Sequence, residues 1–227
     1  MKRSIKGLVA TFALLLTAGA AWAYPVAVGD YVYMYAGDNP NVAYEGHYQA
    51  ANVNNTTAKF GVFCVEQDEY FYPTTSYTNT SYKVESISDV AYGGGLNTNN
   101  GDTLDYATKW LYSHFMAKDI LSKVSGINAY NLDFEIQEAI WKIEGEYPNT
   151  ALTGDAKILY ETAIAAQNSQ TQEMLQYDVK VMNLVYANGG YAQSQLMAQP
   201  VPEPSTLLLL GAGILGLGFA RKRFAKK

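Results

Sequence analysis

Two residues of this sequence are of types that could react with each other. One is Cys64, the single cysteine of the chain, and the other is Gln137. A thiolate is a nucleophile, and a carboxamide becomes an acyl donor once it is positioned and its oxygen polarised. A single cysteine closes no disulfide within its own chain. It is a buried inert thiol, a partner for another chain, or a reactive group. On residue chemistry alone, Cys64 also reads as a small core residue and Gln137 as an ordinary polar helix position. The only histidines, His47 and His114, are candidate proton carriers, although a surface position is the simpler reading of each. With so few His and Cys and no ligand spacing, no metal site and no cofactor are expected. The Asn/Asp/Gly-rich residues 93–102 carry Leu96 where a calcium loop needs a ligand, so they read as a flexible loop. No Ser-His-Asp set and no carboxylate pair at recognisable spacing points to a hydrolase.

The elements that would position the pair are legible. Ile136, Ile140 and Ile143 recur at helical spacing, which predicts an amphipathic helix over 134–144. Gln137 sits one residue round from that stripe, and Trp141 lies one turn further on. Burying a carboxamide without a partner costs roughly 1–3 kcal/mol, so something should meet it. Residues 59–66 read as a strand, with Val62, Cys64 and Glu66 on one face and Phe63 and Val65 on the other. Gly61 would let another backbone approach closely. Further strands are expected at 31–35, 42–48, 82–87 and 177–186, and a loop at 52–57. Helices are expected at 103–120, capped by Asp102 or Thr103, and at 155–166; Asn131 or Asp133 would cap the Gln137 helix. The fold class is α+β: a β-rich, barrel- or sandwich-like part carries Cys64, and an α-helical part carries Gln137.

The two ends read as addresses. Met1 to Lys6 is basic, an apolar run follows, and Ala21-Trp22-Ala23 is a small-x-small site. These are the parts of a secretory signal peptide over 1–23. Near the other end, Pro202-Glu203-Pro204 precedes an uncharged apolar run over 206–220, slightly short of the ~20 residues that span a bilayer comfortably. A tail with Arg221, Lys222, Arg223, Lys226 and Lys227 follows, which would stay on the cytoplasmic side. This combination resembles the PEP-CTERM sorting signal of Gram-negative bacteria. The resemblance implies a short transmembrane helix as a transient inner-membrane anchor, an exosortase-type protease as partner, and delivery to the cell surface. The domain is expected at 24–187, a linker at 188–201 and the sorting signal at 202–227. Residues 24–220 hold 8 basic and 21 acidic residues, a balance that repels nucleic acid and anionic lipid. Neither is expected as a partner, and membrane contact is expected only through the anchor. The 19 tyrosines suit an extracellular contact surface.

Phe63-Cys64-Val65-Glu66, followed much later by Ile136-Gln137-Glu138-Ala139-Ile140-Trp141, resembles the thioester domain of Gram-positive surface adhesins. That family shows an aromatic-Cys-apolar-acid motif and an apolar-Gln-x-Ala-apolar-Trp motif, with a Trp-bearing helix between them, as at Trp110 here. Two departures stand out: Ile136 occupies a position where many members have Thr, and the sorting signal is of the PEP-CTERM type. The resemblance implies an internal thioester between Cys64 and Gln137, formed with loss of ammonia, in a pocket supported by Phe63, Trp110 and Trp141. It further implies an exported adhesion module that acylates a partner amine once, which is single-use chemistry rather than enzymatic turnover. The alternative is a structural protein of an exopolysaccharide matrix or biofilm, binding noncovalently without a thioester.

Overall fold

The alternation in residues 59–66 divides the protein's interior in two. Phe63 and Val65 pack with Leu111, Phe115, Ile136 and Ile140 between the helices and the sheet. Val62 and Cys64 pack on the other side, with Met34, Tyr82, Val84 and Met182. Successive side chains of an extended segment point to opposite faces. The strand that forms here spans only Phe60–Val62 of the expected 59–66, and it and the residues just after it serve two apolar clusters.

The computed structural model describes residues 23–37, 47–75, 79–92, 101–147 and 149–201. The signal peptide up to residue 22, most of the expected strand 42–48, the loop 93–100, and the sorting motif with its apolar run lie outside the described residues. Ala23–Gln199 forms a compact unit. The strands are β1 (Tyr31–Ala36), β2 (Tyr48–Asn52), β3 (Phe60–Val62), β4 (Ser81–Ser88), β5 (Val90–Ala91), β6 (Asp102–Thr103), β7 (Tyr177–Val185) and β8 (Tyr191–Pro200). The helices are α1 (Tyr106–Met116), α2 (Ile120–Lys123), α3 (Leu132–Ile143) and α4 (Gly154–Gln167), all between β6 and β7. The architecture is thus α+β, with a curled antiparallel sheet ordered β3-β2-β1-β4-β7-β8.

Register follows burial. Val32 faces Tyr82 of β4 and Met34 faces Ala50 of β2; all four are fully buried. A register shift between Val84 and Ser86 bends β4 against β7. Past β3 the chain runs on to Cys64, which forms an isolated antiparallel bridge with Gln195 of β8. Val65 N–H donates to Ser194 O at 3.0 Å and Leu196 N–H to Phe63 O at 2.8 Å. The two outer strands of the sheet therefore meet at Cys64.

Several boundaries differ from expectation, each for a physical reason. Residues 188–201 are not a linker: all but 188–190 and 201 form β8, most of it buried. The second strand of the described residues is Tyr48–Asn52, running through the start of the expected loop, and it uses Ala50 and Ala51 to fill a tight interior. The first helix starts at Tyr106 because Asp102 and Thr103 pair with Ala91 and Val90 instead. It ends before Lys118, whose φ of 58° breaks the helix and puts Ile120 in a separate turn. The N-cap side chains of α1, α3 and α4 make no capping bond. For α1 and α4, side chains from other helices do that work: Gln167 Oε1 accepts from Ala107 N–H, and Glu135 Oε2 from Ala156 N–H, both at 2.8 Å. These bonds tie α4 to α1 and α3 to α4.

Candidate functional site

The local hydrogen-bond pattern at Cys64 organises the site. Its bridge to Gln195 is flanked by bonds from the residues on either side, so Cys64 and Gln195 form a non-hydrogen-bonded pair. In such a pair the side chains approach most closely, and the main-chain N–H and C=O of Cys64 are directed away from β8. Gln137 of α3 meets them there. Cys64 N–H donates to Gln137 Oε1, and Gln137 Nε2 donates to Cys64 O, both at 2.8 Å. The carboxamide stands where a neighbouring strand's peptide would be. The partner expected for a buried glutamine is thus the main chain of Cys64, and both residues are almost wholly shielded from solvent.

On the other side of Cys64, Gln195 Nε2 donates to Cys64 Sγ at 3.5 Å and to Gln193 O at 3.3 Å. Gln195 is 0% exposed, and its Oε1 makes no hydrogen bond. Burial pushes the Cys64 thiol up to about 12; the Gln195 bond opposes this and the Glu66 charge adds to it. Sequence reasoning missed Gln195. The signal it left was slight, a Gln-Ser-Gln run in a strand without β-branched residues.

Glu66 is also buried. Its Oε2 accepts from Ser194 N–H at 3.0 Å and its main-chain O from Gln193 Nε2, while its Oε1 makes no bond. Burial, with Glu69 nearby, pushes its carboxyl up to about 7. Glu144, next to the end of α3, is raised to about 8, chiefly by burial. Both values lie above the ~4.3 of a free glutamate. Between about pH 4.5 and 8 the folded chain therefore holds protons that the unfolded chain has lost, and stability falls as pH rises through that window. Thermal unfolding should show a domain more stable at pH 5 than at pH 8 by several kcal/mol. Glu66→Gln should flatten the slope; a midpoint that rises from pH 5 to 8 would contradict this assignment.

The aromatic residues expected around the pair divide between the two clusters. Trp141 packs against the apolar cluster that contains Cys64, with its Nε1 buried and unbonded, and lies edge-on to Tyr147 at 5.3 Å. Phe63 packs on the helix side, edge-on to Phe115 at 4.9 Å. Trp110 shares the Phe63 cluster, but its Nε1 donates to Glu173 at 2.5 Å. His114 is not at the surface. It is 3% exposed, with Nδ1 against Asp119 and Nε2 against Glu173, both at 2.8 Å. His47 is half-buried, its ring 6.5 Å from that of Trp141. Among the described residues, no group of three or more His, Cys, Asp or Glu is placed to hold a metal. No helix among them is long and apolar enough to cross a membrane.

Residues 200–223 match the family model of the PEP-CTERM protein-sorting motif. No curated protein and no solved structure matches the chain. The motif marks an exported protein that is recognised by an exosortase and anchored at its C-terminal end before sorting.

Proposed function

We propose that this protein is a cell-surface attachment module whose Cys64 and Gln137 condense to an internal thioester. The observation that supports this reading is the contact of the Gln137 carboxamide with both main-chain polar groups of Cys64. An amide held to the N–H and C=O of one residue lies alongside that residue's Cα, which keeps the thiol and the amide carbon in one neighbourhood. Such positioning can supply ~7–11 kcal/mol of a barrier. Cys64 N–H already donates to Oε1, the atom that takes negative charge as the carbon becomes tetrahedral. Cys64 O holds the nitrogen that departs. The Sγ–Cδ bond forms, the Cδ–Nε2 bond breaks, and the thiol proton leaves with the nitrogen as ammonia.

A partner amine reverses the exchange. It attacks Cδ, the Cδ–Sγ bond breaks, and its proton returns to sulfur. Gln137 is then joined to the partner by an amide bond. Burial under Trp141 and the surrounding apolar side chains limits hydrolysis until a partner engages. Each molecule reacts once, so the protein is a single-use acylating agent rather than an enzyme. After the exosortase step it acts at the cell surface. The test is thiol alkylation with and without methylamine: Cys64 should resist alkylation until the amine is added, and methylamine should appear on Gln137.

A second reading is favoured by a specific observation. Both ends of the Gln137 carboxamide are hydrogen-bonded as it stands, and burial chiefly keeps the thiol protonated. In that reading the pair is a structural clip. The protein then serves an exopolysaccharide matrix noncovalently, through exposed tyrosines such as Tyr70, Tyr72, Tyr130 and Tyr191. It predicts a Cys64 that alkylates on denaturation with no amine needed.

A further inference from the structure

We propose that Gln195 is a catalytic residue of the Cys64 thioester chemistry, donating through Nε2 to the sulfur and receiving the reacting amine at Oε1. This inference rests on the thioester reading. Its basis is a buried glutamine whose two ends have different fates. Nε2 donates to Cys64 Sγ, and a second bond, to Gln193 O, fixes which end of the amide faces the sulfur. Oε1 of the same carboxamide is buried with no donor. An apolar side chain of similar size would fill the space without leaving an unsatisfied acceptor. The bridge register explains the placement: Cys64 and Gln195 are a close pair across the joint between the two outer strands.

Each end has a task in the balanced exchange. As Sγ gives up its proton to attack Gln137 Cδ, or leaves as the C–S bond breaks, negative charge collects on sulfur. An N–H held against it stabilises that charge without reorganisation. The nitrogen that departs as ammonia, or arrives as a primary amine, carries N–H bonds close to the sulfur. Oε1 is an acceptor already desolvated and waiting for one of them. The proton that passes between nitrogen and sulfur thus moves between two groups held by one carboxamide.

The experiment compares the domain of residues 24–201 with its Gln195→Met and Gln195→Glu variants, using intact mass to follow thioester content and methylamine to follow its opening as a function of pH. Gln195→Met should form the thioester incompletely and open at least about tenfold more slowly, the scale of one hydrogen bond to a charged group. Gln195→Glu keeps an acceptor but loses the donor, so it should also open slowly, with a deficit relative to wild type that widens as pH rises and the new carboxyl ionises. It is the arm that decides if the methionine variant does not fold. A purely structural glutamine would lower the unfolding temperature and leave the opening rate and its pH profile unchanged. Opening rates within about tenfold of wild type in the folded variants overturn the role of Gln195 and leave the thioester standing. A wild-type domain that retains its ammonia overturns both.

Discussion

A chain ending at Ala187 will not fold. The composition of 188–201 reads as a tether, and truncation there would be the natural choice for an expressed domain. The removed segment is β8, which supplies Ala192, Leu196, Met197 and Ala198 to the two apolar clusters. Burying Leu196 and Met197 alone is worth about 3–6 kcal/mol, against a total of roughly 5–15 kcal/mol for a domain. Truncation also strips β7 of one of its two neighbours and leaves the main chain at Phe63 and Val65 without the partners β8 provides. Glu66 would lose the Ser194 N–H as well. Circular dichroism and limited proteolysis should show cooperative unfolding for residues 24–201 and none for 24–187. Equal unfolding transitions for the two would contradict the place given to β8.

Gln137→Ala should destabilise the domain far more than Cys64→Ala. Removing the carboxamide orphans the buried N–H and C=O of Cys64, each costing about 1–3 kcal/mol, for a loss of about 2–6 kcal/mol. Removing the thiol deletes one buried atom and leaves both main-chain bonds intact, which should cost about 1 kcal/mol. Any crosslink is lost equally in both variants, so their difference isolates the hydrogen-bonded clip. Urea denaturation of the two variants measures it directly. Equal losses would mean that the carboxamide does not hold α3 to the strand.

These expectations show where the sequence spoke clearly. Isoleucines at helical spacing place α3, and a glutamine at the margin of that face needs a buried partner. The strand alternation assigns Phe63 and Val65 to one cluster and Val62 and Cys64 to the other. The α+β class follows from the same patterns. What stayed hidden shares a physical cause. In β8, Gln193, Ser194 and Gln195 are all buried, so polar and apolar residues do not alternate. The strand also lacks the β-branched residues that mark most strands. Its polar side chains face Glu66, Asn183 and Cys64, partners that only the fold assembles. The helix caps were hidden likewise, because Gln167 and Glu135 cap helices other than their own.

The thioester makes the most direct demand on the mass of the molecule. Freshly purified residues 24–201, measured intact without reduction or added amine, should weigh one ammonia less than the sequence requires. Methylamine should then add once, at Gln137, and free the Cys64 thiol in the same step. Cys64→Ala and Gln137→Ala should each restore the full sequence mass and abolish the addition. A hydrolysed bond would be recognised by glutamate at position 137. Fresh protein at full mass, with the Gln137 amide intact and no methylamine uptake, would contradict the account and leave the pair as a structural clip.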